Sequence, residues 1–213
     1  MTRATKVRLR FAKRGDLRLV SHHDLLRCLE RMLRRARVPM AMTCGFNPRP
    51  KMTFALALGL GIEAWNEVVD LELSEAWESA DLLARLRAVA PPGFDWIDAQ
   101  SLPPGADPPR PRSVEYRMPI SAGRRDQARA ALDALLHATS WPVVRRRPDR
   151  EVTFDLRPHV VAAELPDDGL LRFRLAVAPD GSARPEELLE ALRLRDLLDG
   201  GIILTRTDVE LQT

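Results

Sequence analysis

The segment Gln100–Ser113, QSLPPGADPPRPRS, holds five prolines and a glycine. No helix or central strand runs through such a stretch, because each proline removes a backbone donor and restrains the residue before it. The chain of 213 residues is thereby cut into two stretches of about 100 residues, each long enough for a small domain with its own core. The expected division is a first lobe over 1–102, a proline-rich linker over 103–113 and a second lobe over 114–213. Hydrophobic residues at 45% and charged residues at 30% are ordinary for a folded protein and argue against disorder.

Within the first stretch, Lys6–Lys13 alternates cations with Val7, Leu9 and Phe11, as a half-buried strand does. Ser21–Val38 reads as a helix: Ser21 caps it, Asp24 places a carboxylate near its positive end, and Leu25, Leu26, Leu29, Leu33 and Ala36 recur at helical spacing. Met52–Ile62 and Glu67–Leu73 read as strands, Ser79–Val89 as a helix capped by Ser79, and Phe94–Ala99 as a strand. The second stretch repeats this order with strands at Val114–Ile120, Glu151–Leu156, Leu170–Ala178 and Gly201–Leu211, and helices at Gly123–Thr139 and Pro185–Leu194. The expected fold is α+β, a tandem ferredoxin-like (βαββαβ) duplication in two lobes.

Charge is unevenly spread. The net charge of the chain is +3, yet Ser21–Lys51 alone carries a net +5, from Arg27, Arg31, Arg34, Arg35, Arg37, Arg49 and Lys51 against Asp24 and Glu30. His23, Arg27, Arg31 and Arg34 follow one another at spacings of four, four and three, which sets them in one stripe turned from the leucine face. A solvated helix face usually mixes signs at that spacing, so the stripe points to an anionic ligand and, with Arg35, to a phosphate backbone.

The loop GFNPRPK extends this basic segment. Pro48 and Pro50 stiffen it, so Arg49 and Lys51 lose less entropy on binding. Asn47 and Phe46 belong to the same candidate surface, because a loop aromatic can stack on a base, although a lone loop Phe more often plugs a core. SHHDL offers His22, His23 and Asp24 as candidates for acid–base chemistry, but successive helical residues point about 100° apart and do not converge as a triad. Gly59 and Gly61 suit a bulge or close packing rather than a dinucleotide site. The run Arg145–Arg147 reads as a solvated loop, or else as an extension of the same basic surface. Cys28 and Cys44 lack metal-ligand spacing, so no metal and no cofactor are expected. No apolar run is long enough to span a bilayer and no signal core opens the sequence, so a cytoplasmic protein without membrane contact is expected.

The stretch from Ser21 to Leu73 resembles the radical-S-adenosylmethionine-associated domain of unknown function, which occurs alone or appended to radical-SAM proteins. Ser21, His22, Asp24, Arg27, Arg34, Arg35, Pro39, Gly45, Phe46, Asn47, Pro48, Pro50, Lys51, Gly59 and Glu67 carry the resemblance, with later blocks at Phe154–Pro158, Gly181–Leu189 and Thr205–Thr207. Cys44 departs from it, standing where a small hydroxyl residue is expected. The resemblance implies a radical-SAM partner rather than an activity, because the chain lacks a three-cysteine cluster motif of its own. The reading is an RNA-binding accessory protein without catalytic activity of its own, working with a radical-SAM or other modification enzyme on tRNA or rRNA. The alternatives are an RNA-acting enzyme of endoribonuclease or pseudouridine-synthase type, by fold analogy alone, and a protein-interaction module docking a radical-SAM partner.

Overall fold

The computed structural model describes residues 5–103, 105–146, 150–178 and 181–212, without the side chain of Arg146. The fold is α+β. Residues up to Pro111, together with Leu211 and Gln212, form one compact unit, and Arg112–Glu210 form a second.

In the first unit β1 (Thr5–Lys13) leads through a short 3-10 turn (Gly15–Leu19) to α1 (His22–Arg35), β2 (Met52–Phe54), β3 (Glu63–Leu73), α2 (Ser79–Ala88) and β4 (Phe94–Leu102). The strands lie in the order β4-β1-β3-β2, each antiparallel to its neighbour. Alternation on β1 sends Val7, Leu9 and Phe11 into the core, where Leu25, Leu29, Met32 and Leu33 of α1 and Leu82 and Leu86 of α2 meet them. Phe11 stacks on Phe94 at 5.1 Å between ring centroids. The opposite parity of β1 is charged: Arg8 donates to both carboxylate oxygens of the buried Asp70 on β3, at 2.8 and 3.0 Å.

Lys13 is fully buried, and its ammonium donates to the carbonyls of Val20 at 3.2 Å and Arg18 at 3.4 Å. The buried lysine thus ties the end of β1 to the turn that leads into α1.

The expected strand Met52–Ile62 is only three residues long, because the chain turns away after Phe54. Gly61 sits at φ +80° in that turn and donates its N–H to the carbonyl of Arg18 at 2.8 Å, while Leu58 and Ile62 of the same stretch are buried. Glu78, not Ser79, occupies the N-cap position of α2, and the Ser79 hydroxyl instead shares a 2.8 Å hydrogen bond with Ser101. Nor is the proline-rich segment a free tether. Lys6 Nζ donates to the carbonyl of Ala106 at 2.6 Å and Arg8 to that of Asp107 at 3.3 Å, pinning it to β1.

In the second unit the elements are β5 (Pro111–Pro119), α3 (Ala122–His137), β6 (Pro142–Arg146), β7 (Glu151–Asp155), β8 (Val160–Glu164), β9 (Leu170–Ala176), α4 (Pro185–Ala191), α5 (Arg195–Asp199) and β10 (Thr205–Leu211). Strands β10, β5, β9 and β8 are successive neighbours in one sheet, and β6 pairs with β7 as a separate hairpin. The helix expected over Pro185–Leu194 stops at Ala191, because Arg193 adopts a left-handed conformation at φ +58° and closes the last turn.

Candidate nucleic-acid interface

Helix α1 begins as its sequence dictates. Ser21 Oγ accepts from the N–H of Asp24 at 3.2 Å and donates to its carboxylate at 2.8 Å, and Arg27 adds a contact to the same carboxylate at 3.2 Å. The Ser21 hydroxyl above all, and then Arg27, hold the Asp24 carboxyl below its ordinary range. His22 is half-buried with its ring edge-on to Phe54 at 5.0 Å, whereas His23 is exposed. Ser21 and Asp24 therefore serve the helix cap, and the two histidines face different surroundings.

Leu25, Leu29, Met32 and Leu33 turn into the core. His23, Arg27, Arg31, Arg34 and Arg35 lie on the opposite side, all exposed. Arg27 is neutralised by Asp24. Among the described residues, the side chains of Arg31, Arg34, Arg35, Arg37 and Arg49 form no hydrogen bond or ion pair.

The end of the helix adds a feature that spacing alone does not reveal. Val38 N–H bonds to the carbonyl of Leu33 at 3.0 Å and Arg37 N–H to that of Arg34 at 3.1 Å, a Schellman closure with Arg37 at φ +53°. That position normally takes glycine, since a side chain costs about 1 kcal/mol or more in the left-handed region. Here it holds a cation.

Beyond the helix the chain folds into a narrow hairpin. Met40 bridges to Leu73, Met42 bridges to Pro50, and the N–H of Thr43 donates to the carbonyl of Arg49 at 2.8 Å. The N–H of Arg49 returns to Thr43 Oγ1 at 3.0 Å, closing the tip over Cys44–Pro48. Its root is held by Lys51, whose N–H donates to the carbonyl of Ala41 and whose ammonium lies 3.2 Å from Glu72. Every residue from Met42 to Arg49 is exposed, and Gly45 at φ +129° makes the bend at the tip.

Phe46 overturns the expectation of a core plug: its relative exposure is 106%. The stem around GFNPRPK is closed by the bonds between Thr43 and Arg49 and by the Lys51–Glu72 pair, and the aromatic ring lies in the exposed tip. Arg49 and Asn47 flank it there, also exposed.

The first residue of the second basic run, Arg145, differs from both readings of that run. Arg145 lies on β6 rather than in a loop, half-buried, with its guanidinium 3.6 Å from the centroid of the Phe154 ring. It donates to the Glu187 carboxylate at 2.8 Å and to the carbonyl of Ser182 at 2.6 Å. Arg145 is an internal clamp between the β6–β7 hairpin and α4, so it is neither solvated nor available to a ligand. Arg147 falls outside the described residues. Among the described residues, no group of three or more His, Cys, Asp or Glu side chains converges as a metal site requires, and no helix is long and apolar enough to cross a membrane.

The fold and this surface define an α+β protein that presents an arginine-faced helix beside an aromatic-tipped hairpin. Residues 6–185 match the family described as "uncharacterized protein conserved in bacteria" (DUF2344), and the chain belongs to that family. No curated protein matches it significantly.

Proposed function

We propose that the protein binds RNA through the outer face of α1 and the hairpin that follows it, acting as an accessory to an RNA-modifying enzyme on tRNA or rRNA. The observation that carries this reading is the set of five arginines whose side chains have no partner among the described residues, Arg31, Arg34, Arg35, Arg37 and Arg49, gathered within one short span of chain. Unpaired like charges repel one another, and a polyanion relieves that repulsion while releasing its own counterions. Arginine suits phosphate in particular, because its planar fork offers paired donors.

The resemblance to radical-SAM-associated chains supports an enzyme of that class as the partner, with the radical chemistry residing there. A cytoplasmic setting accords with an RNA ligand and with cysteines, Cys28 and Cys44, that are free. The shared strand sequences β4-β1-β3-β2 and β10-β5-β9-β8 support reading the two units as copies of one split βαβ plan, the second carrying the β6–β7 hairpin as an insertion.

Binding of labelled small RNA at low and high salt, with wild type and Arg31→Glu/Arg34→Glu, tests the proposal. Affinity should fall steeply with salt and collapse in the double variant. Affinity that is indifferent to both salt and charge reversal would exclude this surface.

A further inference from the structure

Resting on the RNA-binding reading, we propose that the ligand class is RNA with an unpaired nucleotide, whose base stacks on Phe46 while the arginines of α1 hold the adjoining backbone. A buried aromatic would suggest packing, and Phe46 is not buried. Its ring is fully exposed, at the tip of a hairpin whose residues from Met42 to Arg49 all face solvent. Protein hot spots cluster in well-packed pockets ringed by contacts that exclude water. In the sequence Phe46 stands between Gly45 and Asn47, with the exposed cation Arg49 three positions on.

The stem of the hairpin is also held in position. The Thr43–Arg49 bonds, the Met42–Pro50 bridge and the Lys51–Glu72 pair hold its stem against the end of β3, so the ring is offered without a large ordering cost on binding. A projecting aromatic has no access to a base inside an A-form helix, whose bases are stacked on one another and whose major groove is deep and narrow. It does have access to a base splayed from a loop or bulge, and every base offers a face for stacking. The arginines read charge on either kind of RNA, so Phe46 is the residue that distinguishes them.

Two labelled RNAs that share one stem separate stacking from charge: the blunt duplex, and the same stem closed by an unpaired loop. Each is titrated with wild type, Phe46→Ala and Arg31→Glu/Arg34→Glu. Loss of a stacked base weakens binding about 5- to 150-fold, so Phe46→Ala should lose that much on the looped RNA and almost nothing on the duplex. Charge reversal should weaken both. Because Phe46 makes no core contact, its removal leaves the fold intact. Phe46→Trp adds a direct readout, since its emission should be quenched by the looped RNA and not by the duplex. Equal binding of looped RNA by wild type and Phe46→Ala, with the charge-reversed variant still weakened, would overturn the stacking inference alone. Failure of wild type to bind either RNA would overturn the reading beneath it.

Discussion

The Lys51 ammonium lies 3.2 Å from the Glu72 carboxylate, at the root of the hairpin that carries Phe46. This cation is partly spent inside the protein, unlike Arg49 two residues earlier. Glu72→Gln should free it for a phosphate and tighten RNA binding about two- to fivefold at low salt, in keeping with an exposed ion pair worth at most about 1 kcal/mol. The gain should shrink as salt rises. Fluorescence anisotropy across a salt series checks it, and unchanged affinity at low salt would exclude Lys51 from the interface.

Arg37 occupies a left-handed position that glycine fills without strain. Arg37→Gly should stabilise the first unit by about 1 kcal/mol while weakening RNA binding, so thermal unfolding and affinity move in opposite senses. Asn, which tolerates the same backbone, should reproduce the loss of binding. A variant that is more stable and binds equally well would assign Arg37 to the helix end alone.

In the second unit Glu187 joins two elements. Its carboxylate takes the Arg145 guanidinium and also accepts from the N–H of Arg184 at the start of α4. Burial pushes the Glu187 carboxyl upward, but the bonds from Arg145 and Arg184 outweigh it and leave the group below its ordinary value of 4.5. A carboxyl depressed in the folded state contributes stability above its unfolded pKa and loses it as pH falls through the folded value. Glu187→Gln should therefore lower stability at neutral pH and flatten the loss seen on acidification below about 4.5. Arg145→Ala, which strands a nearly buried carboxylate, should cost about 3 kcal/mol. Chemical denaturation at several pH values measures both.

The Ser21 cap makes a similar prediction at the start of α1. With its hydroxyl bonded to Asp24, Ser21→Ala should lower the melting temperature of the first unit at neutral pH. Because the Asp24 carboxyl is held low by that hydroxyl, the difference between wild type and variant should narrow as pH falls through the folded value of Asp24. A constant difference across the acid range would separate the cap from the carboxylate.

Local periodicity made much of this legible. The alternation on β1 and the leucine spacing on α1 are short-range patterns, and both elements form where those patterns lie. Phe46 was not legible, because whether a loop aromatic folds back or projects depends on the rungs between Thr43 and Arg49 and on their anchorage to β3, which no local pattern encodes. The role of Arg145 is hidden from the sequence for a related reason. Three consecutive arginines look like solvated charge until the fold brings Glu187, some forty positions away in sequence, against the first of them. Arg37 shows a third kind of silence, since its positive φ is imposed by the closing hydrogen bonds of the helix and not by its own side chain.

Gln212 donates its backbone N–H to the carbonyl of Arg110 at 2.8 Å, within the first unit. The bond joins residues about a hundred positions apart, and the ribosome adds about 5 to 20 residues each second. The first unit consequently waits some 5 to 20 s after its main stretch has been made before its last residues exist. During that interval it is a nascent domain with one seam still open, and its completion is timed by the synthesis of the second.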